Sequence, residues 1–185
     1  ASYGNSLSGI INTRTKDPNL KKWEGDFDLN ITEINTYLSA PIIEDNTGVL
    51  FSYRRTFYDL IARTASLFTN APFQVPSFQG MQMHHITKIN ETNKLYSNVF
   101  FFDQGTDIVF SGDSSFSGFI KTSNQRPLVN IILGTTITPS IYNESSIGAD
   151  YDNGYFNFKF EGSTGLFETS TYNRTLSAYI RDDLT

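Results

Sequence analysis

The chain has 185 residues, of which 38% are hydrophobic, 15% aromatic and only 18% charged, and its formal net charge is −5. Its 16 Phe and 10 Tyr argue against disorder, because burying so many rings offsets the entropy of ordering, and helix-forming residues are too few for a helical bundle. The negative charge argues against a nucleic-acid partner, and the absence of cysteine excludes a disulfide framework, a thiolate metal site and a cysteine nucleophile.

Apolar and polar residues alternate with a period of two through most of the sequence, which predicts β-strands. The clearest example is residues 155–161, in which three phenylalanines alternate with polar residues. One predicted face carries Phe156, Phe158 and Phe160, and the other carries Asn157, Lys159 and Glu161.

Eight segments are predicted to be strands, and the last is expected to be two strands broken near Gly162–Gly165, or one strand that pairs with Ile141–Tyr151. In chain order the segments are Asp26–Asn30, Asn35–Ile42, Val49–Ile61, Met81–Ile89, Leu95–Phe110, Leu128–Thr138, Ile141–Tyr151 and Tyr155–Arg181.

Short and long connections separate these strands. Polar breaks around Asn46, Asn93 and Pro139 suit hairpin turns. Two longer segments, Ala62–Gly80 with two prolines and Ser111–Pro127 with many Ser and Gly residues, are predicted to be loops. An up-and-down chain changes ends with each strand, so both loops are expected at one end of the sheet and the three turns at the other. No run approaches the ~20 apolar residues of a transmembrane helix.

This arrangement favours a transmembrane β-barrel, which has short turns at one end, longer loops at the other, an apolar lipid face and a polar interior. A soluble sandwich or jelly roll also has alternating strands. Charged side chains oppose dense aromatics in several strands, and this indicates a wet interior. Phe156, Phe158 and Phe160 are expected to face lipid or a hydrophobic partner, and Asn157, Lys159 and Glu161 a polar interior.

The first residues, Ser2–Asp17, contain Tyr-Gly, small residues, a glycine, two apolar residues, Asn and then Thr with a basic residue. The residues of this pattern are Tyr3, Gly4, Gly9, Ile10, Ile11, Asn12, Thr15 and Lys16. The pattern resembles the end of the plug domain of TonB-dependent outer-membrane receptors of the Bacteroidota type. The next segments are similar to the first barrel strands of these receptors: Gly25–Leu29, Leu38–Ile42 with its Ala-Pro ending, and Ser52–Asp59 with its Arg-Arg-Thr core.

The resemblance implies the end of a plug domain and a linker at 1–20, inside or beneath the barrel, and the N-terminal strands of the barrel at 21–185. It implies TonB-dependent uptake of a siderophore, cobalamin, glycan or peptide across the bacterial outer membrane. The implied partners are outer-membrane lipid, the rest of the receptor chain, the TonB energy-coupling protein and a surface lipoprotein. Such receptors have about 22 strands, a complete plug and an N-terminal TonB-binding segment, so we expect a section of a longer chain.

Few residues indicate site chemistry. Adjacent strand residues point to opposite faces, so His84 and His85 are not expected to bind one metal ion. No catalytic motif supports an enzyme, and no cofactor is expected. Arg54 is expected to face the lumen, where the resemblance suggests a contact with a plug carboxylate. Arg55 is expected near the rim, because a charge at the lipid midplane costs about 2–4 kcal/mol.

Six aromatic residues suit an interfacial girdle, because amphipathic rings prefer the level of the lipid headgroups. They are Trp23, Tyr37, Tyr53, Tyr58, Tyr142 and Tyr155. Ordinary packing of aromatics in a sheet explains them equally well.

Two alternatives remain at this point. One is a secreted β-sandwich that binds glycans or another protein, and the other is a small stand-alone outer-membrane barrel of eight strands. Dependence on detergent would separate the sandwich from either barrel, and the length of the parent gene would separate a receptor section from a small barrel.

Overall fold

The computed structural model of the chain describes residues 15–66, 68, 74–111, 116–163 and 165–185. Eight strands form one antiparallel sheet in which the spatial order equals the chain order. The strands are β1 (Glu24–Leu29), β2 (Glu33–Ile43), β3 (Thr47–Thr56), β4 (Gln74–Lys88), β5 (Asn93–Ser111), β6 (Phe116–Thr138), β7 (Ile141–Gly162) and β8 (Gly165–Leu184), and helix α1 (Tyr58–Ser66) lies between β3 and β4. The predicted all-β, up-and-down architecture of about eight strands is confirmed.

The sheet is not closed. Among the described residues β1 pairs only with β2, and β8 pairs only with β7, so the sheet has two free edges. These strands therefore do not by themselves form a closed barrel of eight strands, which was one of the alternatives considered from the sequence. They also form one continuous sheet rather than the two packed sheets of a sandwich.

The connections alternate between the two ends of the sheet, and the three predicted turns share one end, as predicted. The short β1–β2 and β7–β8 hairpins, however, lie at the same end as the long β3–β4 connection, so the predicted separation of short turns from long loops holds only in part. Residues 44–46, 89–92 and 139–140 form short turns at one end, which we call the turn end. The connections from β3 to β4 and from β5 to β6 lie at the opposite end, which we call the loop end.

The prediction of a loop over Ser111–Pro127 is wrong, because β6 already begins at Phe116. Ladders to β5 and β7 hold this Ser- and Gly-rich stretch in the sheet, since backbone hydrogen bonds do not depend on the side chains. Pro127 has no N–H, and the pairing of β6 with β7 omits Arg126 and Pro127 before it resumes at Leu128.

Two other boundaries differ from the prediction. The strand predicted over Val49–Ile61 ends at Thr56, where the apolar spacing changes from two residues to the three or four of helix α1. The strand β4 extends back to Gln74, beyond the end of β3. Pro76 is tolerated there because only β5 pairs with that part of β4.

The break near Gly162–Gly165 is confirmed. Gly162 pairs with Gly165, so a tight hairpin joins β7 to β8. The φ of Gly165 is 137°, a conformation that favours glycine over residues with a Cβ. The predicted separation of Ile141–Tyr151 from the next strand is wrong, because β7 runs without interruption through residues 152–154.

The β1–β2 and β4–β5 turns lie at opposite ends of the sheet, and each is closed by hydrogen bonds to an asparagine side chain. The side-chain oxygen of Asn30 accepts from the backbone amides of Thr32 (2.9 Å) and Glu33 (3.0 Å). The side-chain oxygen of Asn90 accepts from those of Thr92 (3.0 Å) and Asn93 (2.8 Å). An asparagine that bonds to the backbone two residues later closes a turn, so both Asn-x-Thr triplets have a structural role.

The register divides the side chains between two faces. Residues directly opposite each other in a ladder share a face, and residues adjacent in a strand do not. One face carries Arg54 and, through the ladders, Gln82, Asn98 and Arg126; we call it the Arg54 face. The other carries Ile131 and is called the Ile131 face.

Candidate functional site

A belt of apolar side chains covers the half of the Ile131 face that lies nearer the turn end. Its large members come from all eight strands: Phe27, Leu38, Val49, Phe51, Tyr53, Met81, Met83, Leu95, Val99, Phe101, Val129, Ile131, Leu133, Ile147, Tyr151, Leu176 and Ile180. Many of them are exposed, and Leu176 and Ile180 are 75% and 83% exposed. Contiguous exposed apolar surface of this extent is uncommon on soluble monomers and marks an interaction surface.

One continuous row of polar residues ends the belt on the side of the loop end. Successive ladders align the members of this row, which we call the border row: Arg55, Gln79, Asp103, Gln125, Asn153 and Arg174. The amide of Gln79 donates to the Asp103 carboxylate (3.0 Å).

Polar residues also end the belt on the side of the turn end. The Thr135 hydroxyl donates to Asn93 (2.8 Å), and the Asn143 amide and the Ser145 hydroxyl both donate to Asp182 (2.9 and 2.6 Å). The Ser145 and Asn143 bonds hold the pKa of Asp182 below its ordinary value. Between these residues and the border row, no Asp, Glu, Lys or Arg of the described strands lies on this face.

The opposite face carries charges that are paired across strands. The Arg54 guanidinium donates to Glu33 through Nε (3.0 Å) and Nη2 (2.6 Å). The Asn35 bond and the Arg54 bonds hold the pKa of the Glu33 carboxyl below its ordinary value. The Arg126 guanidinium similarly donates to Asp150 through Nε (3.1 Å) and Nη2 (2.9 Å).

A row of buried polar side chains crosses the Arg54 face behind the belt. His84 Nδ1 contacts Asn98 Oδ1, and the Asn98 amide donates to Asn130 (2.7 Å). The Asn130 amide donates to the Tyr179 hydroxyl (3.3 Å) across Gly148. His84 and Asn98 are almost fully buried, so their hydrogen bonds satisfy groups that water cannot reach.

Glycines allow tyrosine rings to lie flat against the Arg54 face. A Cβ on Gly148 would lie 2.6 Å from the Tyr179 ring, and a Cβ on Gly134 would clash with the Tyr142 hydroxyl. Both glycines therefore serve close packing. Of the six aromatic residues considered for an interfacial girdle, Tyr37 and Tyr142 lie on the Arg54 face, whereas Tyr53 and Tyr155 lie on the Ile131 face.

The segment 15–22 lies on the Arg54 face near the turn end. The backbone amide of Asn19 donates to the Ser39 hydroxyl (2.7 Å), and the Leu20 carbonyl accepts from Asp45 (2.8 Å). A Cβ on Gly48 would clash with Leu20 (2.7 Å), which shows how closely the segment approaches the sheet. Buried Leu50 and Ile86 lie on the same face, whereas buried Ala40 lies on the Ile131 face, so most of the small apolar core of the described residues is found here.

A cleft of about 360 Å³ opens on the Arg54 face next to this segment. Its lining includes Asp26, Tyr37, Arg54 and Gln82, with Phe102 as an apolar wall. The Tyr37 hydroxyl is buried and has no hydrogen-bond partner among the described residues.

The two faces exchange character beyond the border row. There the Arg54 face carries an apolar cluster of Ile108, Ile120, Phe156, Phe158, Phe160 and Phe167. The Ile131 face carries Asp107, Lys121, Asn157, Lys159, Glu161 and Glu168. The predicted alternation over 155–161 is confirmed, but the three phenylalanines lie on the face opposite the belt.

The sequence-predicted site residues lie in two groups. Tyr3, Gly4, Gly9 and Asn12 lie outside the described residues. Lys16 lies on the Arg54 face, with Nζ 5.3 Å from the centre of the Tyr37 ring.

Arg54 also lies on this face, and its carboxylate partner is Glu33 of the neighbouring strand. Arg55 lies on the opposite face, in the border row, and bonds to Asp59 (3.4 Å). The sequence did not identify Glu33, the Asn98 partner of His84 or the Asn130 partner of Asn98, because cross-strand register gives no local signal.

His84 and His85 lie on opposite faces, as predicted. Within the described ranges, no group of three His, Cys, Asp or Glu residues is arranged to hold a metal ion. The same part of the chain contains no helix whose length and apolar content suffice to cross a membrane.

Comparison with known proteins gives no match: no family model fits the chain, and neither a curated protein nor a solved structure is significantly similar to it.

Proposed function

We propose that this chain is a section of the wall of an outer-membrane β-barrel of the TonB-dependent receptor type, with the belt in contact with lipid. The observation that carries the proposal is the charge-free belt on the Ile131 face, bounded by the border row. On β5, nine residues (Lys94–Phe102) separate Asn93 from Asp103, and a transmembrane β-strand needs about 9–11.

The exchange of face character supports the same placement. A strand that leaves lipid and enters water no longer benefits from apolar side chains on its outer face, and charges there are then stabilised by solvent. Lys121, Lys159 and Glu168 all lie on the Ile131 face beyond the border row. The loop end is therefore proposed to be extracellular and the turn end periplasmic.

The Arg54 face is proposed to face the barrel interior. Its paired charges and buried polar row suit a surface that meets water or a plug rather than lipid. The segment 15–22 contacts this face at the proposed periplasmic end, where a chain that leaves a plug would enter the wall. The plug-end residues Tyr3, Gly4, Gly9, Asn12 and Lys16 would belong to that plug.

The free edges of β1 and β8 imply further strands. Lipid offers no hydrogen bonds to an open edge, so a spanning sheet must close. In this proposal the rest of the receptor chain supplies the missing strands, and the assembled receptor takes up an external siderophore, cobalamin, glycan or peptide with energy from TonB. A surface lipoprotein is a further proposed partner at the loop end. The role is transport rather than catalysis.

Site-directed labelling in intact cells tests the membrane placement, because the chain has no native cysteine. The variant Ile131→Cys, in the intact polypeptide, is expected to react with a lipid-soluble thiol reagent and to resist a water-soluble maleimide. The matched control Ser123→Cys lies on the same strand and face beyond the border row and is expected to react with the maleimide. A sandwich would bury residue 131 against protein and protect it from both reagents, and recovery outside the outer-membrane fraction would also contradict the proposal.

The transport role is tested by uptake. Cells that lack this polypeptide, and cells that lack TonB, are expected to lose uptake of the same ligand from a panel of siderophores, cobalamin, glycans and peptides. Unchanged uptake of every ligand in both strains would contradict the receptor assignment while leaving the membrane placement intact.

A further inference from the structure

Helix α1 presents an apolar groove at the loop end that is separate from the belt. Phe57, Leu60, Ile61, Ala65 and Phe68 recur at the three- and four-residue spacing of one helix face. Together with Ile31 of the β1–β2 turn they line an open groove of about 540 Å³. Ile31 is 84% exposed and Phe68 82% exposed, so the groove is uncovered in the described chain.

Thr64 is the one polar residue among the described residues that line the groove, and its side chain has a partner within the protein. The Thr64 hydroxyl donates to the Leu60 carbonyl (2.8 Å). Asp59, whose Oδ2 accepts from Arg55 (3.4 Å) and whose Oδ1 is buried without a partner among the described residues, is not part of the lining. The groove therefore offers apolar surface without a free polar group among the described residues that line it, which suits a hydrocarbon occupant better than a polar ligand.

The groove adjoins the belt at the border row. Helix α1 begins at Tyr58, three residues after Arg55 of the border row. On β1, Phe27 and Leu29 lie on the Ile131 face in order toward the loop end. Ile31, two residues after Leu29, lines the groove. The apolar surface is thus continuous from the belt, across the end of β1, to the helix.

We infer that lipid acyl chains fill this groove and that α1 lies in the membrane interface at the loop end. The inference rests on the proposed membrane placement. A helix of nine residues is marginal without packing, and a lipid surface supplies the cover that its apolar face lacks. Arg55 of the border row lies at the level expected for lipid phosphates, and the half-exposed Tyr58 ring suits the same level.

Depth-dependent fluorescence quenching tests the inference in the intact polypeptide reconstituted into phosphatidylcholine vesicles. The native Trp23 is replaced by Phe, and one Trp is introduced by Phe68→Trp or, as a second probe of the groove, Ile31→Trp. The vesicles contain lipids brominated near the headgroup or in the middle of the acyl chain. Both probes are expected to be quenched at least two-fold more strongly by the shallow bromines than by the deep ones.

Two reference variants separate this inference from the proposed function. Leu176→Trp lies in the belt and is expected to be quenched, whereas Tyr172→Trp lies on the same strand and face beyond the border row and is expected to resist quenching. Quenching at position 176 without quenching at 68 and 31 would overturn the groove inference and leave the membrane placement standing. Lack of quenching at all positions would overturn both, and a blue-shifted but unquenched Trp at 68 would indicate cover by protein and overturn the inference.

Discussion

In strands β5 to β8, the half near the turn end and the half near the loop end have their main apolar clusters on opposite faces of the sheet. Between the turn end and the border row, the Ile131 face of the described strands carries the charge-free apolar belt. The Arg54 face there is mixed, with paired charges and the buried polar row beside apolar residues such as Phe100, Leu128 and Ile132. Between the border row and the loop end, Phe156, Phe158 and Phe160 lie on the Arg54 face and charges lie on the Ile131 face. Alternation is thus continuous along a strand, while the environment of each face changes once. The same backbone ladder serves both halves, so the surroundings rather than the strand geometry decide which face is apolar.

The largest expected effect comes from a charge in the belt. Ile131→Lys is expected to reduce the free energy of unfolding from lipid vesicles by about 2–4 kcal/mol, because it places a cation at the proposed mid-depth of the bilayer. Ser123→Lys, on the same strand and face but beyond the border row, is expected to cost no more than about 1 kcal/mol. Denaturant titration of both variants in vesicles measures the difference. Equal costs would remove the distinction between the two halves.

Glycine packing provides the next comparison, on one face of one strand. Gly148→Ala, in the belt half, is expected to cost about 1–3 kcal/mol because its Cβ would lie 2.6 Å from the Tyr179 ring. Gly154→Ala lies nearer the border row on the same face, and the nearest atom would be 3.7 Å away. It is expected to be neutral or slightly stabilising, since alanine reduces the freedom of the unfolded chain. A similar loss of stability in both variants, measured by thermal unfolding, would argue that the Tyr179 contact is unimportant.

The buried polar row predicts a cost on the Arg54 face. His84→Ala leaves the Asn98 side chain, which is 5% exposed, without one of its partners and is expected to cost about 1–3 kcal/mol. His85→Ala removes a histidine from the other face, where it bonds to Thr87 (3.0 Å), and is expected to cost about half as much or less. The result that would contradict this prediction is a more severe effect at His85.

The smallest effect is a pH dependence near the border of the two halves. Because the folded pKa of Glu33 lies below its unfolded value, its contribution to stability is present above the unfolded pKa and is lost as pH falls through the folded pKa. Arg54→Gln is expected to raise the pKa of Glu33 toward its ordinary range, although the Asn35 bond remains. Carboxyl NMR titration measures this shift, with Asp182 as the internal reference because its pKa is lowered by Ser145 and Asn143. A change at Asp182 without one at Glu33 would refute the assignment.

Local signals in the sequence predicted much of the fold. The polar triplets at Asn90 and Pro139 and the glycine pair near 162–165 gave the correct turns, because turn formation depends on a few adjacent residues. The alternation over 155–161 gave the correct division of side chains for the same reason. The prediction failed at 111–127, where Ser and Gly do not favour a strand but two neighbouring strands supply the hydrogen bonds.

The candidate site was less predictable, because it depends on register. Nothing near His84 in the sequence indicates Asn98, and nothing near Asn98 indicates Asn130, since these contacts span 14 and 32 residues. The expectation that Phe156 faces lipid or a hydrophobic partner stays a prediction, but its position on the face opposite the belt was not foreseen for a related reason. The alternation of one segment does not reveal where along the strand the surroundings change. Only the alignment of the whole border row locates that level.

The neighbour-by-neighbour order of the strands has a consequence for how the sheet is assembled. Each strand pairs first with the strand that was synthesised just before it, so every step closes a short loop at a small entropic cost. The sheet can therefore grow by successive addition of hairpins. At each stage the newest edge is temporarily unpaired and prone to aggregation, and the 23 residues of β6 make it the longest of these transient edges. Strand β8, with 20 residues, is the longer of the two strands that stay at an edge of this sheet. The arrival of a following strand would remove that hazard.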